Sequence, residues 1–500
     1  MQKFGWTAAA VLFLNACAQE AATPGADADD AESDTGASEA PGTDAAASDG
    51  PVRPPLDPYP STYAAYPSGP VLLANATVLT GAGDRIDGGS VLIQEGKIVA
   101  VGADIEAPEG ASVIDAQGKW VTPGVIDIHS HLGNYPSPST DSTSDGNEAT
   151  APSTAEVWTE HSVWPQDAGF TRALAGGVTS LQILPGSANL FGGRSVVLKN
   201  VPSRTTQGMK FPGAPYGMKM ACGENPKRVY GDRGGPGTRM GNFSGYRSSW
   251  IEARDYKKSW DDYWADYDEW ADSDGEDDAP EAPARDLKLE TLAGVLNGDI
   301  LVNMHCYRAD EMAFVLDLAE EFDYQVTSFH HAIEAYKIAD MLAEKSVCAA
   351  VWADWWGFKL EAYDTVPQNA ALVHAQPGGC TVIHSDDALG IQRLNQETAK
   401  AVDAGRRAGI DIAPEIAIQW ITANAARAMG ILDQTGTLEA GKMADVVVWN
   451  GNPFSVYAQA EQVYIDGALM YDRADPARSP RMDFELGQLG EDEFTGGAGQ

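Results

Sequence analysis

The sequence predicts an α/β fold, a (β/α)8 TIM-type barrel with a small β-sandwich domain built from both chain ends. Residues 123–432 alternate apolar strand-like runs with amphipathic helical stretches, as expected for a barrel of roughly 250 residues with insertions. Residues 61–122 and 433–473 instead form short alternating runs bounded by Gly-containing turns, which is typical of β-strands. A doubly wound sheet is the competing architecture, but no Gly-rich phosphate loop supports it.

The first residues are typical of an export signal. Lys3 precedes an apolar run that ends at Leu14, and this run is too short to span a bilayer as a mature helix. The following Asn-Ala-Cys resembles a bacterial lipobox, so residues 1–17 are predicted to be a lipoprotein signal peptide with Cys17 lipidated. An ordinary cleaved signal with an incidental Cys is the alternative. Ala18 favours sorting to the outer membrane of a Gram-negative cell, facing the periplasm.

The polar segments at both ends are predicted to lie outside the folded domains. Residues 18–60 are rich in Ala, Ser, Gly and acidic residues, which predicts a disordered tether, and residues 474–500 form a C-terminal tail. The formal net charge is −38, from 72 acidic and 34 basic residues. This balance argues against a nucleic-acid partner. We expect a small-molecule or short-peptide substrate and membrane contact only through the lipid, and we leave homo-oligomerisation open.

Two further features carry separate expectations. Apart from Cys17, the cysteines are scattered and form no CxxC pair. A disulfide is compatible with an oxidising compartment, but we expect buried free thiols at Cys222, Cys306, Cys348 and Cys380.

Residues 246–286 contain Trp and Tyr at helical spacing and then an acidic run. They predict an amphipathic helix on the barrel followed by a solvated loop, with a lid or partner surface as the alternative.

The run VTPGVIDIHSHLG carries the strongest chemical signal. His129 and His131 lie two residues apart at the end of an apolar run, and in a strand such residues point to the same face. Two imidazoles that converge in this way predict a metal site. Other predicted strands end at His305, at His330 and His331, and at Asp386, and strand ends form the active face of a barrel.

The neighbouring histidines are assigned by the alternation of strand side chains. His330 and His331 are adjacent, so we expect only one of them to enter the barrel mouth. His384 shares a face with Asp386 but lies deeper, which predicts a core or supporting role. His161 lies in a turn and is a candidate substrate contact.

This ligand set predicts metal-assisted hydrolysis. Imidazole and carboxylate ligands suit one or two divalent ions, and we favour zinc, with manganese, iron and nickel also compatible. A bound metal lowers the pKa of water to about 7 and polarises a carbonyl. Asp386 is the natural group to take the proton from this water and pass it to a leaving nitrogen.

Several motifs together are similar to the amidohydrolase superfamily, in its imidazolonepropionase-like branch. They are PGVIDIHSHLG, HCYRADEM, FHHAIEAYKIADMLAEK, HSDDA and GTLEAGKMADVVVW. The resemblance covers about residues 70–472 and implies the same barrel and β-sandwich. It implies metal ligands at His129, His131, His305, His331 and Asp386. The carboxylate from the fourth strand is either a carboxylated Lys219 or Glu224, and we favour Glu224.

The sequence departs from this family pattern at Tyr307 and at His330-His331-Ala332. Tyr307 replaces a second His and is a candidate contact for substrate. Arg308 could bind a substrate carboxylate or pair with Asp310.

From the ligand set and the family resemblance, we expect a hydrolase of amide, cyclic amide or dipeptide C–N bonds. The alternatives are a metal-dependent deaminase of a heterocycle and a non-catalytic lipid-anchored binding protein.

Overall fold

The computed structural model describes residues 53–478, except Pro138, residues 274–277 and Trp356. The predicted signal peptide, most of the predicted tether and the chain beyond residue 478 lie outside the described residues. Within the described part, no helix combines the length and the apolar character needed to cross a bilayer.

The described chain forms two eight-stranded sheets. In chain order, the strands are β1 (Val71–Leu79), β2 (Arg85–Gln94), β3 (Lys97–Gly102), β4 (Ser112–Asp115), β5 (Trp120–Pro123), β6 (Val125–Ser130), β7 (Val178–Ile183), β8 (Phe191–Lys199), β9 (Gly217–Ala221), β10 (Leu301–Cys306), β11 (Ser328–His331), β12 (Cys348–Val351), β13 (Cys380–Ile383), β14 (Val446–Trp449), β15 (Ala460–Ile465) and β16 (Ala468–Asp472).

Ten α-helices are described between and around these strands. They are α1 (Ala168–Ala175), α2 (Glu224–Tyr230), α3 (Arg239–Ala271), α4 (Leu287–Leu296), α5 (Ala309–Phe322), α6 (Ala339–Glu344), α7 (Asn369–Ala375), α8 (Leu394–Arg407), α9 (Pro414–Ala417) and α10 (Ala423–Ala428).

One sheet combines strands from both chain ends. Its order is β16-β15-β14-β5-β1-β2-β3, with β4 paired to β1. The antiparallel pair β5–β14 joins the two ends, with Val121 opposite Val448 and Thr122 opposite Val447. Buried aliphatic side chains such as Leu73 and Val446 form its core. The chain ends therefore share one β-structure, and its arrangement as a two-layered sandwich stays a prediction.

The other sheet is the nearly closed barrel, in the sequential order β6 to β13. Its strands are parallel except β8, which pairs antiparallel with both β7 and β9. The link between β7 and β8, residues 184–190, contains no described helix, and it is shorter than the dozen or so residues that a parallel crossover needs. The third barrel strand therefore reverses, which the regular (β/α)8 prediction did not include.

The barrel closes between β6 and the segment after β13. The backbone N–H of Asp386 donates to the carbonyl of His129 at 3.0 Å. The buried carboxylate of Asp127 accepts from the Ser385 backbone N–H at 3.2 Å and from its hydroxyl at 2.5 Å. We call this closure the seam.

The expectation of free thiols was wrong. Cys222 and Cys306 form one disulfide, and Cys348 and Cys380 form another. Cys348 and Cys380 lie directly opposite each other in β12 and β13, and the first pair joins the ends of β9 and β10. The partners are 84 and 32 residues apart in sequence, so only the strand order brings them together.

The Trp-rich insertion forms most of α3, a helix of 33 residues. Trp250 is fully buried, and its ring lies 4.6 Å from that of Tyr324 and 5.2 Å from that of Phe191. The first half of α3 thus packs on the barrel, as expected. The acidic loop that follows it is only partly among the described residues.

Candidate metal centre

The two histidines at the end of β6 converge on one carboxylate. Asp386 Oδ1 lies 3.2 Å from His131 Nε2 and 3.4 Å from His129 Nε2. His131 Nδ1 lies 2.8 Å from the Leu184 carbonyl, which can only accept. His131 Nδ1 therefore carries the hydrogen, and Nε2 keeps its lone pair for a metal.

The ends of β10 and β11 bring two more imidazoles. The His305 ring lies 4.6 Å from that of His331, and His331 Nδ1 lies 3.8 Å from Asp386 Oδ2. His305 Nε2 is 3.3 Å from Asn225 Nδ2. Neither His305 Nδ1 nor His331 Nδ1 has a hydrogen-bond partner among the described residues, and buried polar atoms of this kind need a partner such as an ion or water.

Both His330 and His331 lie close to His129, and the expectation that only one of them enters the barrel mouth stays a prediction. His331 has φ of +69° and Ala332 of +38°, so the backbone leaves extended geometry where strict alternation would apply. The rings of both histidines lie 4.8 Å from that of His129.

His330 supports His129 from behind. His330 Nδ1 lies 2.8 Å from His129 Nδ1, and His330 Nε2 lies 2.8 Å from Ser328 Oγ. If His129 Nε2 is to bind a metal, its Nδ1 must donate to His330 Nδ1, which places the hydrogen of His330 on Nε2, toward Ser328. This is the supporting contact that metal-binding histidines commonly make.

The structure places the two candidates for the fourth-strand carboxylate ligand, Lys219 and Glu224, in different surroundings. Lys219 on β9 is buried, its Nζ lies 3.4 Å from His129 Nε2, and it donates to the Pro185 carbonyl at 3.0 Å. Burial lowers the pKa of Lys219 to about 8. Glu224 instead begins α2 and lies 3.9 Å from Lys359 Nζ. The geometry therefore favours Lys219 over the Glu224 preferred from sequence, and the ligand assignment stays a prediction.

The charge states of these residues suit a divalent metal. Burial lowers the pKa of His129, His305 and His331 well below the ordinary value, so these imidazoles are neutral and their lone pairs are available. Burial raises the pKa of Asp386, but the hydrogen bond and charge of His131 outweigh it and the pKa is lowered overall. Neutral imidazoles around a carboxylate are a set that zinc and similar ions accept.

Of the predicted substrate contacts, Tyr307 lies at the cluster. Its ring stacks on His331 at 5.2 Å, and Lys359 Nζ lies 3.7 Å from the ring centroid. Burial raises the pKa of Tyr307, so the phenol remains a donor.

Arg308 and His161 are engaged elsewhere. Arg308 forms a bidentate pair with Asp310 at 2.8 and 2.9 Å. His161 is half-exposed and stacks on Trp158. Among the described residues, no hydrogen bond, ion pair or ring contact joins either of them to the histidine cluster, so their roles at substrate stay predictions.

Sequence reasoning missed two residues of the loop after β12. The Trp352 indole stacks on His331 at 4.4 Å and donates to the Ser385 carbonyl at 3.0 Å. Lys359 donates to Asn225 Oδ1 at 3.3 Å, beside the amide that faces His305. The available signal was the aromatic run WADWWGFK directly after an apolar strand.

Comparison with known proteins decides the family. The model of the Amidohydrolase family matches residues 337–471. A crystal structure of an amidohydrolase from Thermotoga maritima is 36% identical, with a TM-score of 0.72 over 81% of this chain and 100% of that one. The chain belongs to the amidohydrolase family. The barrel and the histidines at its strand ends therefore belong to an amidohydrolase.

Curated relatives match over shorter shares of their own length. The amidohydrolase tasK of Hapsidospora irregularis is 33% identical over 406 residues, which are 77% of this chain and 40% of tasK. An imidazolonepropionase of Acidiphilium cryptum is 43% identical over 68 residues, which are 12% of this chain and 17% of that protein. The chain therefore spans less than half of these relatives, and membership of the imidazolonepropionase-like branch stays a prediction.

Proposed function

We propose that this amidohydrolase is a metal-dependent enzyme that hydrolyses a C–N bond in a small molecule or short peptide. The observation that carries the proposal is the position of the Asp386 carboxylate, whose oxygens lie 3.2 to 3.8 Å from nitrogens of three histidines. A proton acceptor among neutral imidazoles is the arrangement that metal-assisted hydrolysis requires.

The metal would be held by the imidazoles and by one further carboxylate. The ligands are His129, His131, His305 and His331 with Asp386, and either carboxylated Lys219 or Glu224 completes the set. This mixture suits one or two ions, with zinc favoured over manganese, iron or nickel. When bound, the metal supplies Lewis acidity to a substrate carbonyl and acidifies water.

The chain's own groups perform the proton transfers. Asp386 is ionised, so it accepts the proton of the attacking water at a carboxylate oxygen and returns it to the leaving nitrogen. The phenol of Tyr307 stays protonated and donates toward the carbonyl oxygen as charge develops on it. His330 holds His129 in the required tautomer.

The proposed substrates are amides, cyclic amides and dipeptides. The names of the relatives, an amidohydrolase and an imidazolonepropionase, support this class without specifying a member. The aromatic wall of Trp352 and Tyr307 beside His331 supports a substrate with an apolar part next to the scissile bond.

The test is the Asp386→Asn substitution. The wild-type chain should contain at least one equivalent of metal and hydrolyse members of a dipeptide and cyclic-amide panel. Asp386→Asn should lower kcat/KM by about 10² to 10⁴-fold, because the proton acceptor is lost. Metal analysis and product chromatography measure both.

The matched control is His374→Asn on α7, where the ring packs against Trp420 and activity should be unchanged. Ammonia release from heterocycles instead of amide hydrolysis would replace the proposal with a deaminase. If the protein contained no metal and had no activity, the alternative of a non-catalytic binding protein would be favoured.

A further inference from the structure

His384 is a buried imidazole that the mechanism above does not use. It is 1% exposed, and neither Nδ1 nor Nε2 has a hydrogen-bond partner among the described residues. Leaving such a group unpaired is unfavourable, so native proteins rarely retain one without a ligand or water.

The ring of His384 faces two of the cluster histidines. Its centroid lies 5.1 Å from that of His129 and 5.0 Å from that of His331. One ring nitrogen from each of these three residues lies within 4.8 Å of the other two. The Trp352 ring, 5.2 Å from His384, covers this group.

This group differs chemically from the one at the barrel mouth. His129, His131 and Asp386 form a second set within the same mutual distance, and that set contains a carboxylate. The set of His129, His331 and His384, which we call the inner set, contains imidazoles alone.

We propose that His384 is a metal ligand and that His129, His331 and His384 form an inner cation position behind the mouth of the barrel. Three imidazoles select a borderline transition-metal ion such as zinc, copper or nickel over magnesium or calcium. The proposal rests on the proposed metal dependence.

The inner position shares His129 with the set of His129, His131 and Asp386 at the barrel mouth, which we call the outer set. His129 Nδ1 is already 2.8 Å from His330, so His129 has one nitrogen to offer. An ion bound at the inner position through His129 therefore excludes His129 from the outer set. A single ion has two alternative sets of ligands, and His384 determines how they are occupied.

The test uses His384→Phe, which keeps a planar ring against Trp352 and removes both nitrogens. The full chain is stripped with a chelator and reloaded with Co²⁺ or Zn²⁺. Affinity from chelator competition, metal stoichiometry and the Co²⁺ absorption spectrum are then measured. His374→Phe is the matched control. The zinc affinity of His384→Phe should fall at least about 10-fold, with a changed Co²⁺ spectrum, while His374→Phe should match the wild type.

Thermal unfolding separates a ligand from a packing residue. Without metal, His384→Phe should be at least as stable as the wild type, because unpaired polar atoms are removed. With zinc, it should gain less stability than the wild type. His384→Asn offers a second variant if the Phe ring does not fit.

Two results would overturn parts of this account separately. Unchanged zinc affinity and Co²⁺ spectrum in both His384 variants would reject His384 as a ligand and leave the proposed hydrolase intact. A wild-type chain that binds neither ion would reject both the inner position and the proposed metal dependence.

Discussion

At the scale of single residues, the backbone at the end of β11 decides how many imidazoles reach the centre. In extended geometry, His330 and His331 would lie on opposite faces of the sheet. The left-handed φ of His331 lets the second ring approach while the first remains hydrogen-bonded to His129. The backbone of His331 thus allows His330 to support His129 while His331 itself remains available as a ligand.

Lys219 and Glu224 can be distinguished by substitution. Lys219→Met should weaken zinc binding by about 10- to 100-fold, because Nζ lies at His129. Glu224→Gln should leave zinc affinity nearly unchanged, because Glu224 lies beside Lys359. Chelator competition on both variants measures this, and the reverse order of effects would restore Glu224 as the ligand.

Sequence periodicity could predict the parts of the site that are local. His129 and His131 follow from a two-residue repeat, and the strand-end positions of His305 and Asp386 follow from apolar runs. The approach of Lys219 to His129 depends on strand order across the sheet, and that of His330 depends on one dihedral angle. Neither has a signature in residue spacing.

At the scale of elements, the reversed strand β8 and the seam distinguish this barrel from a regular one. Alternating strands and helices could be predicted from apolar periodicity. The reversal of β8 follows from a short link that carries no distinctive motif. The disulfides likewise depend on which strands are neighbours, so widely spaced cysteines gave no indication of pairing.

Asp127 is expected to be the main polar contact across the seam. Its buried carboxylate accepts from Ser385 and from the His129 backbone N–H. Asp127→Ala should lower the free energy of unfolding by about 3 kcal/mol, because buried donors lose their acceptor. Urea denaturation measures this. Asp115→Ala, at an exposed strand end, removes only exposed hydrogen bonds with Asn75 and Gln117 and should shift the midpoint far less, and equal effects of the two substitutions would contradict the role of Asp127.

At the scale of the whole molecule, a buried ion cluster joins the barrel to the strands of the C-terminal segment. Lys199 at the end of β8 contacts Asp466 at 2.8 Å and Asp445 at 3.3 Å, and the side chains of Lys199 and Asp445 are fully buried. Thr435 also donates to Asp445 at 2.7 Å. The cluster fixes how the composite sheet lies on the barrel.

Breaking this cluster should destabilise the whole domain. Lys199→Met leaves two buried carboxylates without their cation and should cost about 3–5 kcal/mol of unfolding free energy. Lys258→Met removes an exposed pair with Asp262 on α3 and serves as the control, with no measurable change expected. Thermal and urea unfolding check both, and similar midpoints for the two variants would refute the linking role.

The cellular location is a proposal that the folded part supports indirectly. Two disulfides are typical of an oxidising compartment, which is compatible with the proposed export and lipidation of Cys17, a residue outside the described part. In a Gram-negative host, the wild type should incorporate labelled palmitate and sediment with outer membranes. Cys17→Ser should do neither, and a labelled variant would show that the lipid is attached elsewhere.

The seam is also the place where we expect the barrel to open transiently. One flank of the seam is cross-linked, because the disulfide Cys348–Cys380 ties β13 to β12. No disulfide crosses the seam among the described residues, and its polar contacts are hydrogen bonds, so we expect transient opening to start there. Because His129 lies on one side and Asp386 on the other, each such opening would pull the ligand cage apart. The residence time of a bound ion would then be governed by the same event that begins unfolding.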